Sequence, residues 1–351
     1  MLRIFGGQRK TNTNQIENMN CLRKYLYIAI TSAFVFPMLI TSCSDWNTPE
    51  PDVIFIPGVS EEYRDNIREY LKSPHKVMFG WFGNWGGNVP SNSLMGLPDS
   101  IDFVGLWLVT GNLSEAQQAD LKAFNETGRK TVMSWSPYNI GSGITPAGVS
   151  PEDFWGYTPE DEESMMEATR KYALALVDTC RKYDIGGFDV DSEGTGTLMH
   201  YSGPGRDRIN YFMRVLREEF DKDGRMLCID IPSAISWKVF YTMYDNDVLE
   251  SVDYVMWQTY EATTKALERE CEAIIKGTEV GENVLRKSIF CATFERAVDK
   301  HLFYDTHQYF EYSGGIPHAG IGAYHIEYDY PNDYPYVRAA ISYMNSSKDN
   351  E

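Results

Sequence analysis

Residues 186–193 read GGFDVDSE, a predicted β-strand that carries carboxylates at three alternate positions. Because successive side chains of a strand point to opposite faces, Asp189, Asp191 and Glu193 share one face. Neighbouring acids repel one another and lose hydration, which raises the pKa of at least one of them. A carboxyl group with a raised pKa suits general acid catalysis near neutral pH. The alternatives are neutralisation by nearby Arg or Lys and binding of a metal ion through oxygen.

Short runs typical of strands alternate along the chain with amphipathic runs typical of helices. We predict eight strands, at 77–81, 103–108, 131–135, 187–193, 226–231, 254–260, 288–294 and 321–327. Helical spacing occurs at 61–71, 114–125, 160–183, 206–220, 263–275 and 334–344. This alternation indicates parallel βαβ units, and eight of them in about 290 residues match a single α/β domain, a (β/α)8 TIM barrel. A doubly wound open sheet is the alternative, but no glycine-rich phosphate loop follows the first strand.

Aromatic and polar residues gather at the predicted carboxyl ends of these strands, where active sites of (β/α)8 barrels lie. Besides the three acids, they are Trp81, Trp107, Trp135, Asp230, Gln258, Tyr260 and Tyr324. Aromatic rings around acids are typical of sugar sites, because rings stack on C–H faces while polar groups bind hydroxyls. The Gly- and Pro-rich segment 139–157 is the longest loop after a strand, and we expect it to shape the groove. Any single Trp among these residues is more often part of a core.

The first 58 residues have the pattern of an exported, lipid-anchored protein. Two basic residues at 23–24 precede an apolar run at 25–40, which leads through small residues into Cys43. This order is typical of a secretory signal, and the cysteine resembles that of a bacterial lipobox. We predict a lipoprotein signal peptide at 1–42 (with Met19 as an alternative start), lipidation at Cys43, a tether at 43–58 and one domain at 59–351. A membrane-spanning anchor fits less well, because 16 apolar-leaning residues interrupted by Pro37 are short for a span.

Removal of residues 1–43 leaves an acidic chain with 27 Lys and Arg against 49 Asp and Glu, a formal charge of −22. Such a surface repels nucleic acid and anionic lipid head groups, so we expect neither as a partner and favour a neutral ligand. The cysteines beyond Cys43 are Cys180, Cys228, Cys271 and Cys291, and none lies in a CxxC or His-paired pattern. They predict no metal site, and we interpret them as small buried groups.

The acids of the fourth strand and the tyrosine of the sixth resemble glycoside hydrolase family 18. That family carries D-G-x-D-x-D-x-E; here the last three acids match, and Gly186 stands at the first position. On the sixth strand chitinases of the family have M-x-Y-D, whereas this chain has Gln258-Thr259-Tyr260-Glu261. An amide two residues before the tyrosine is similar to the endo-β-N-acetylglucosaminidase branch. The short segment between the seventh and eighth strands and the lack of a Trp on the eighth strand also differ from chitinases.

The resemblance implies a substrate-assisted, retaining mechanism, in which the carbonyl oxygen of the substrate's 2-acetamido group attacks the anomeric carbon. It implies that Glu193 protonates the glycosidic oxygen and later activates water, and that Asp191 accepts a hydrogen bond from the acetamido N–H. Asp189 would bias the pKa of Asp191, while Gln258 and Tyr260 would hold the acetamido group. No cofactor or metal is expected, because the nucleophile comes with the substrate. The other substrate-binding candidates rest on strand-end position alone: Trp81, Trp107, Trp135, Asp230 and Tyr324.

The implied function of the glycosidase domain is hydrolysis of the β-1,4 bond in the N,N'-diacetylchitobiose core of N-linked glycans. The expected partners are a glycan or glycoprotein containing N-acetylglucosamine, the membrane that holds the lipid anchor and other glycan-foraging surface proteins. Ser44 directly after Cys43 is compatible with sorting to the outer membrane, on its cell-surface or periplasmic face. Two alternatives stay open: a catalytically weak or inactive family 18 barrel that binds glycans at the surface, and a chitinase.

Overall fold

Eight parallel strands close into a barrel, paired in chain order with the last strand against the first. The computed structural model describes residues 57–235, 238–296 and 306–346. The strands are β1 Val77–Phe82, β2 Phe103–Trp107, β3 Lys130–Trp135, β4 Gly187–Asp191, β5 Met226–Ile231, β6 Tyr254–Gln258, β7 Ser288–Thr293 and β8 Gly320–Tyr324. The predicted single (β/α)8 barrel is confirmed.

Helices follow most strands and pack around the outside of the barrel. The α-helices of the described residues are Glu61–Lys72, Glu115–Glu126, Pro151–Trp155, Glu162–Tyr183, Gly203–Phe220, Lys238–Tyr241, Asn246–Ser251, Thr264–Gly277, Gly281–Arg286 and Pro335–Met344. Short 3₁₀ turns lie at Pro90–Asn92, Leu94–Gly96, His307–Tyr309 and Ile326–Asp329. Local sequence explains where such a helix begins: the Ser114 hydroxyl accepts the Gln117 N–H, and the Gln117 side chain accepts the Ser114 N–H.

Alternation along each strand separates two apolar layers. On β4, Phe188 and Val190 pack in the outer core between strands and helices, so Asp189 and Asp191 face the barrel interior. The interior layer is made by Phe79, Trp81, Phe103, Val132, Met226, Cys228, Met256, Ile289 and Cys291. A Cβ atom at Gly105 would lie 2.6 Å from Cδ1 of Trp81, so the glycine makes room for the indole inside the barrel.

Three strands end two or three residues earlier than the sequence predicts. β4 ends at Asp191, β6 at Gln258 and β8 at Tyr324. Glu261 and His325 have left-handed φ angles of 58° and 53°, which turn the chain away from the sheet. Aromatic composition indicates strand propensity, but it does not mark the residue at which the hydrogen-bond ladder stops.

The predicted signal peptide, Cys43 and residues 43–56 of the predicted tether lie outside the described residues. Within the part of the chain that is described, no helix is long and apolar enough to cross a membrane. Cys180, Cys228, Cys271 and Cys291 are buried free thiols, as their surroundings in the sequence predict.

Candidate active site

Four carboxylates meet near the carboxyl ends of β4 and β5. Asp191 pairs in register with Asp230 on the neighbouring strand, and oxygens of Asp191, Glu193 and Asp230 lie within 4.8 Å of one another. Depth separates the four groups: Asp189 and Asp230 have no exposed surface, Asp191 is 4% exposed, and Glu193 is exposed. Glu193 is therefore the carboxylate that solvent or a ligand reaches first.

Asp189 lies deepest on β4 and is held by two hydrogen-bond donors. Its Oδ2 accepts Nε1 of Trp81 at 2.9 Å and the hydroxyl of Ser134 at 2.7 Å. Burial raises the pKa of Asp189 to about 6, and these two donors limit the rise. Trp81 and Ser134 thus stabilise the ionised form of Asp189, which offsets part of the cost of its burial.

Asp191 and Asp230 face one another and have fewer hydrogen-bond donors than Asp189. Burial, followed by repulsion from Glu193 and Asp189, raises the pKa of Asp191 well above its usual range. Burial and the charge of Asp191 do the same to the pKa of Asp230. Asp189 Oδ1, Asp191 Oδ1 and Asp230 Oδ2 are buried without a hydrogen-bond partner. Burial and mutual repulsion therefore favour the protonated form of these buried carboxyl groups.

Gln258, the last residue of β6, links the buried and exposed acids. Its Nε2 donates to Oδ1 of Asp230 at 2.7 Å and also to Oε1 of Glu193. Both N–H groups of the amide are used in this way, which leaves its carbonyl oxygen as an acceptor. The amide is thus positioned beside Glu193, where the sequence predicts it.

Asp191, Glu193 and Asp230 are the described group of side chains with oxygens close enough to hold one cation. However, Gln258 directs N–H donors at two of these carboxylates, and a cation in that position would be repelled by them. We therefore interpret the cluster as carboxyl groups that share protons and hydrogen bonds.

Comparison with known proteins agrees with this geometry. Residues 46–295 match the family model of glycoside hydrolase family 18, BT1044-like. The chain belongs to glycoside hydrolase family 18. Among curated proteins, no sequence matches this family 18 chain closely.

Three solved structures have a similar fold. The chain is similar to a Glu→Gln variant of BT1044, with 29% identity, a TM-score of 0.71, and coverage of 85% of this chain and 98% of that one. It is similar in fold to an endo-β-N-acetylglucosaminidase double mutant from Cordyceps militaris in complex with fucosyl-N-acetylglucosamine-Asn, with 17% identity, a TM-score of 0.60, and coverage of 82% and 97%. A family 18 chitinase from Pseudoalteromonas aurantia has 12% identity, a TM-score of 0.54, and coverage of 76% and 100%.

The position at which this chain departs from the family 18 motif is sterically restricted. A Cβ atom at Gly186 would lie 2.7 Å from the backbone oxygen of Thr131 and 3.3 Å from Cβ of Lys130. The first residue of β3 and its neighbour thus occupy the space that an Asp side chain at 186 would need. An Asp at position 186 would therefore require a local shift of the backbone, whereas the three acids nearer the mouth match the family motif.

Three aromatic side chains form a wall beside the carboxylates of the family 18 site. Tyr260 and Tyr324 stack with ring centroids 6.1 Å apart, and Trp107 meets Tyr324 edge-on at 5.5 Å. All three are half-buried, so each keeps some surface for a ligand. Burial raises the pKa of Tyr260 well above its usual range, so its hydroxyl stays protonated as a donor.

Three of the predicted substrate-binding residues are buried and offer no surface to a ligand. Trp135 faces the outer layer, where it packs edge-on against Phe188 at 4.8 Å and donates to the Ser142 carbonyl. Its parity on β3 is opposite to that of Ser134, which faces the interior. Trp81 is 1% exposed and Asp230 has no exposed surface, so both lie beneath the site and offer a ligand no contact area.

One cavity adjoins this family 18 site, and a second lies among loops farther from the carboxylates. The first, of about 430 Å³, lies beside Gln258 and Tyr260, between the segments that follow β5 and β6. The second, of about 730 Å³, lies between the segments that follow β3 and β4, with Asn139, His200 and Arg208 in its lining. The predicted loop 139–157 therefore contributes to a cavity, and it also contains the helix Pro151–Trp155.

Sequence reasoning missed Ser134, and it places His325 and Glu327 near the end of the eighth strand without predicting their contact. Ser134 lies one residue before the more conspicuous Trp135, and strict alternation from Val132 would have placed it inside the barrel. His325 Nδ1 bonds Glu327 Oε1 at 2.7 Å, and Glu327 Oε2 accepts the Gly83 N–H at 3.0 Å. The left-handed turn at His325 that creates this contact has no clear signal in the sequence.

Proposed function

We propose that this family 18 glycoside hydrolase is an endo-β-N-acetylglucosaminidase, which cuts the β-1,4 bond of the N,N'-diacetylchitobiose core of N-linked glycans. The observation that carries the proposal is the contact of Glu193, at the exposed mouth, with the buried Asp191 and the amide of Gln258. These groups supply a proton donor, an acceptor for an acetamido N–H and an amide beside the reacting centre.

In the first step, Glu193 gives its proton to the glycosidic oxygen while the acetamido carbonyl oxygen of the substrate attacks the anomeric carbon. The bond to the leaving sugar breaks, and an oxazolinium ring forms on the substrate itself. Asp191 accepts the acetamido N–H and stabilises the positive charge that develops. In the second step, Glu193 takes a proton from water, which attacks the anomeric carbon. The bond between this carbon and the oxazolinium oxygen breaks, the acetamido group is regenerated, and the original configuration is retained.

The aromatic wall and the neighbouring structures support a glycan as the substrate. Tyr260 lies beside Gln258, with a protonated hydroxyl that suits the acetamido oxygen. The Cordyceps militaris endo-β-N-acetylglucosaminidase was bound to fucosyl-N-acetylglucosamine-Asn, a ligand that contains the sugar attached to asparagine. The formal charge of −22 beyond residue 43 favours a neutral sugar over an anionic polymer.

Incubation with defined N-glycoproteins, followed by mass spectrometry, tests the proposal. We expect wild-type protein to leave a single N-acetylglucosamine on asparagine. Glu193→Gln should lower turnover by about 10²–10⁴-fold or more, the effect of losing a general acid and base. Glu62→Gln, in an exposed helical position, is the matched control and should retain full activity. Glycan release by Glu193→Gln at the wild-type rate would overturn the assignment of the acid.

The same assay separates the alternatives. Cleavage of soluble chitooligosaccharides in preference to glycoproteins would make the protein a chitinase, the activity of the Pseudoalteromonas aurantia neighbour. Retention on a glycan array without cleavage would make it a surface glycan-binding protein. The presence of both Asp191 and Glu193 in contact favours hydrolysis over binding alone.

We also propose that the domain is held at the outer membrane through a lipid on Cys43. The pattern at 23–43 supports this location. There the enzyme would act alongside other glycan-foraging surface proteins.

A further inference from the structure

Asp230 lies beside the other three carboxylates of the cluster, although it belongs to β5 and not to the acid motif. It has no exposed surface, so a ligand does not reach it. It nevertheless interacts with Asp189 and Asp191 directly and with Glu193 through Gln258. A fully buried carboxylate beside other acids opposes folding, so its position suggests a role in the site rather than in packing.

The first consequence of Asp230 is the orientation of the Gln258 amide. Nε2 donates to Asp230 Oδ1 at 2.7 Å as well as to Glu193. A flipped amide would set its carbonyl oxygen against both carboxylates, which is repulsive. When Glu193 is protonated before the first step, it can donate and no longer selects one orientation. Asp230 still does, so the amide keeps its N–H groups towards Glu193.

The second consequence concerns the other oxygen of Asp230. This oxygen, Oδ2, is buried without a donor, and so is Oδ1 of Asp191. One proton between two carboxyl groups removes a charge and gives both oxygens a partner. Oδ1 of Asp189 has no donor either, but Oδ2 of Asp189 already accepts two donors, which makes Asp189 the better carrier of a negative charge. The proton therefore belongs between Asp191 and Asp230.

The surroundings of Asp230 provide no positive charge to replace that proton. The titratable groups that act on it or feel its charge are Asp189, Asp191 and Glu193 from β4 and its end, Tyr244, Tyr260, and Cys291 on β7. Each of these groups is neutral when protonated and negative when deprotonated, and no described Lys or Arg is among them.

We infer that Asp230 is a positioning residue, which fixes the Gln258 amide against Glu193 and shares one proton with Asp191. Its catalytic consequence rests on the proposed function, whereas the shared proton and the fixed amide exist without substrate. Asp191 then keeps one oxygen for the acetamido N–H while its other oxygen is paired through the proton with Asp230. This places the partner of Asp191 on the neighbouring strand rather than two residues earlier on β4.

Infrared spectroscopy of the purified protein at neutral pH tests the proton in the absence of any substrate. The wild-type protein should show the C=O stretching band of a buried protonated carboxyl, and Asp230→Asn should lose it, because the Asn amide donates to Asp191 in its place. Asp102→Asn is the matched control: this carboxylate lies at the opposite end of the barrel, where it accepts the Met78 N–H at 2.8 Å and contacts His75 at 2.7 Å. It should keep the band. An unchanged band in Asp230→Asn would overturn the shared proton.

Gln258→Glu provides a second variant should Asp230→Asn not fold. It replaces the donor between Asp230 and Glu193 with another carboxyl group, so an additional proton is needed and the band should grow. A band that stays the same in Gln258→Glu contradicts the arrangement in which Gln258 separates two carboxylates.

Kinetics test the positioning role once wild-type cleavage has been measured. Asp230→Asn should lower kcat about 10- to 100-fold, the effect of one hydrogen bond to a charged group, with KM changed little and the pH profile shifted. In a Gln258→Ala background the same substitution should have a much smaller effect, because the amide it orients is absent. Additive effects, or a loss in KM alone, would overturn the role. Absence of wild-type cleavage would contradict the proposed function instead, and the infrared comparison would still decide on the proton.

Discussion

The acids of β4 and of the residues that follow it have the same chemistry but different environments, because a strand advances by about 7 Å with every two residues. Asp189 is enclosed and accepts two donors, Asp191 is almost buried, and Glu193 is exposed. Burial makes charge unfavourable at the deeper positions, whereas solvent supports it at the mouth. β4 and the residues after it thus place Asp189, Asp191 and Glu193 in order of decreasing depth, the last of them as the proton donor.

The buried charge of Asp189 predicts a pH-dependent effect of Asp189→Asn on stability. The pKa of Asp189 is raised from 3.8 to about 6 in the folded protein. Its contribution to the free energy of unfolding is therefore fully present below pH 3.8 and lost as the pH rises through 6. Asn cannot ionise, so the variant should gain on wild type by roughly 2 kcal/mol between pH 4 and pH 7.

Urea unfolding of both proteins across this range measures the difference. Ser134→Ala removes a donor that lowers the pKa of Asp189, so in this variant the loss of stability should occur at higher pH. A constant gap between wild type and Asp189→Asn from pH 4 to pH 7 would contradict the raised pKa.

At this scale the sequence predicts the acids well and the aromatic residues less well. Asp191, Glu193, Gln258 and Tyr260 come together in the structure. Strand parity predicts that Asp191 and Glu193 share one face, and the end of a strand predicts the position of Gln258. Trp135 does not join them, since it has the opposite parity to Ser134 on β3. The identity of a side chain near a strand end does not reveal which face it occupies.

At the scale of elements, the positions of the strands can be predicted from the sequence, whereas the distance between neighbouring strands cannot. All eight strands occur within a few residues of their predicted positions, because β-branched and aromatic runs between helical segments have a period of two. The position of Gly186 depends instead on β3, which lies more than 50 residues earlier in the chain. Its Cβ would lie 2.7 Å from the Thr131 oxygen, a contact that no local pattern contains.

This close approach predicts that Gly186→Ala destabilises the protein. The added methyl group pushes against backbone atoms, which move less easily than side chains, so we expect a loss of about 1–3 kcal/mol in the free energy of unfolding. Gly58→Ala is the matched control, because a Cβ atom added there would have no neighbour within 4 Å. Denaturant unfolding measures both. Gly186→Asp, which restores the family residue, should be at least as destabilising, and equal stability of wild type and Gly186→Ala would contradict the contact.

At the scale of the whole molecule, the cavities around the barrel mouth are beyond sequence reasoning. The loops that follow β3 and β4 meet through Asn139, whose Oδ1 accepts the Thr197 N–H at 2.9 Å. These two residues are 58 positions apart, and the cavity of about 730 Å³ depends on such contacts. The sequence predicts that a long loop shapes the groove, whereas the volume and lining come only from the folded chain.

The proposed lipid anchor also belongs to the scale of the whole molecule, because it would decide where the hydrolase meets its substrate. A lipid needs the thiol of Cys43, so Cys43→Ser should move the protein from the membrane fraction to the soluble fraction when the full chain is expressed in a Gram-negative host. Stable anchoring requires two acyl chains or one chain and a basic patch, and the acidic mature chain offers no such patch. Cys21→Ser is the matched control and should stay in the membrane fraction, since this residue precedes the apolar run. Retention of Cys43→Ser in the outer membrane, or release of Cys21→Ser, would contradict anchoring through Cys43, and protease added to intact cells would then show on which face the wild-type domain lies.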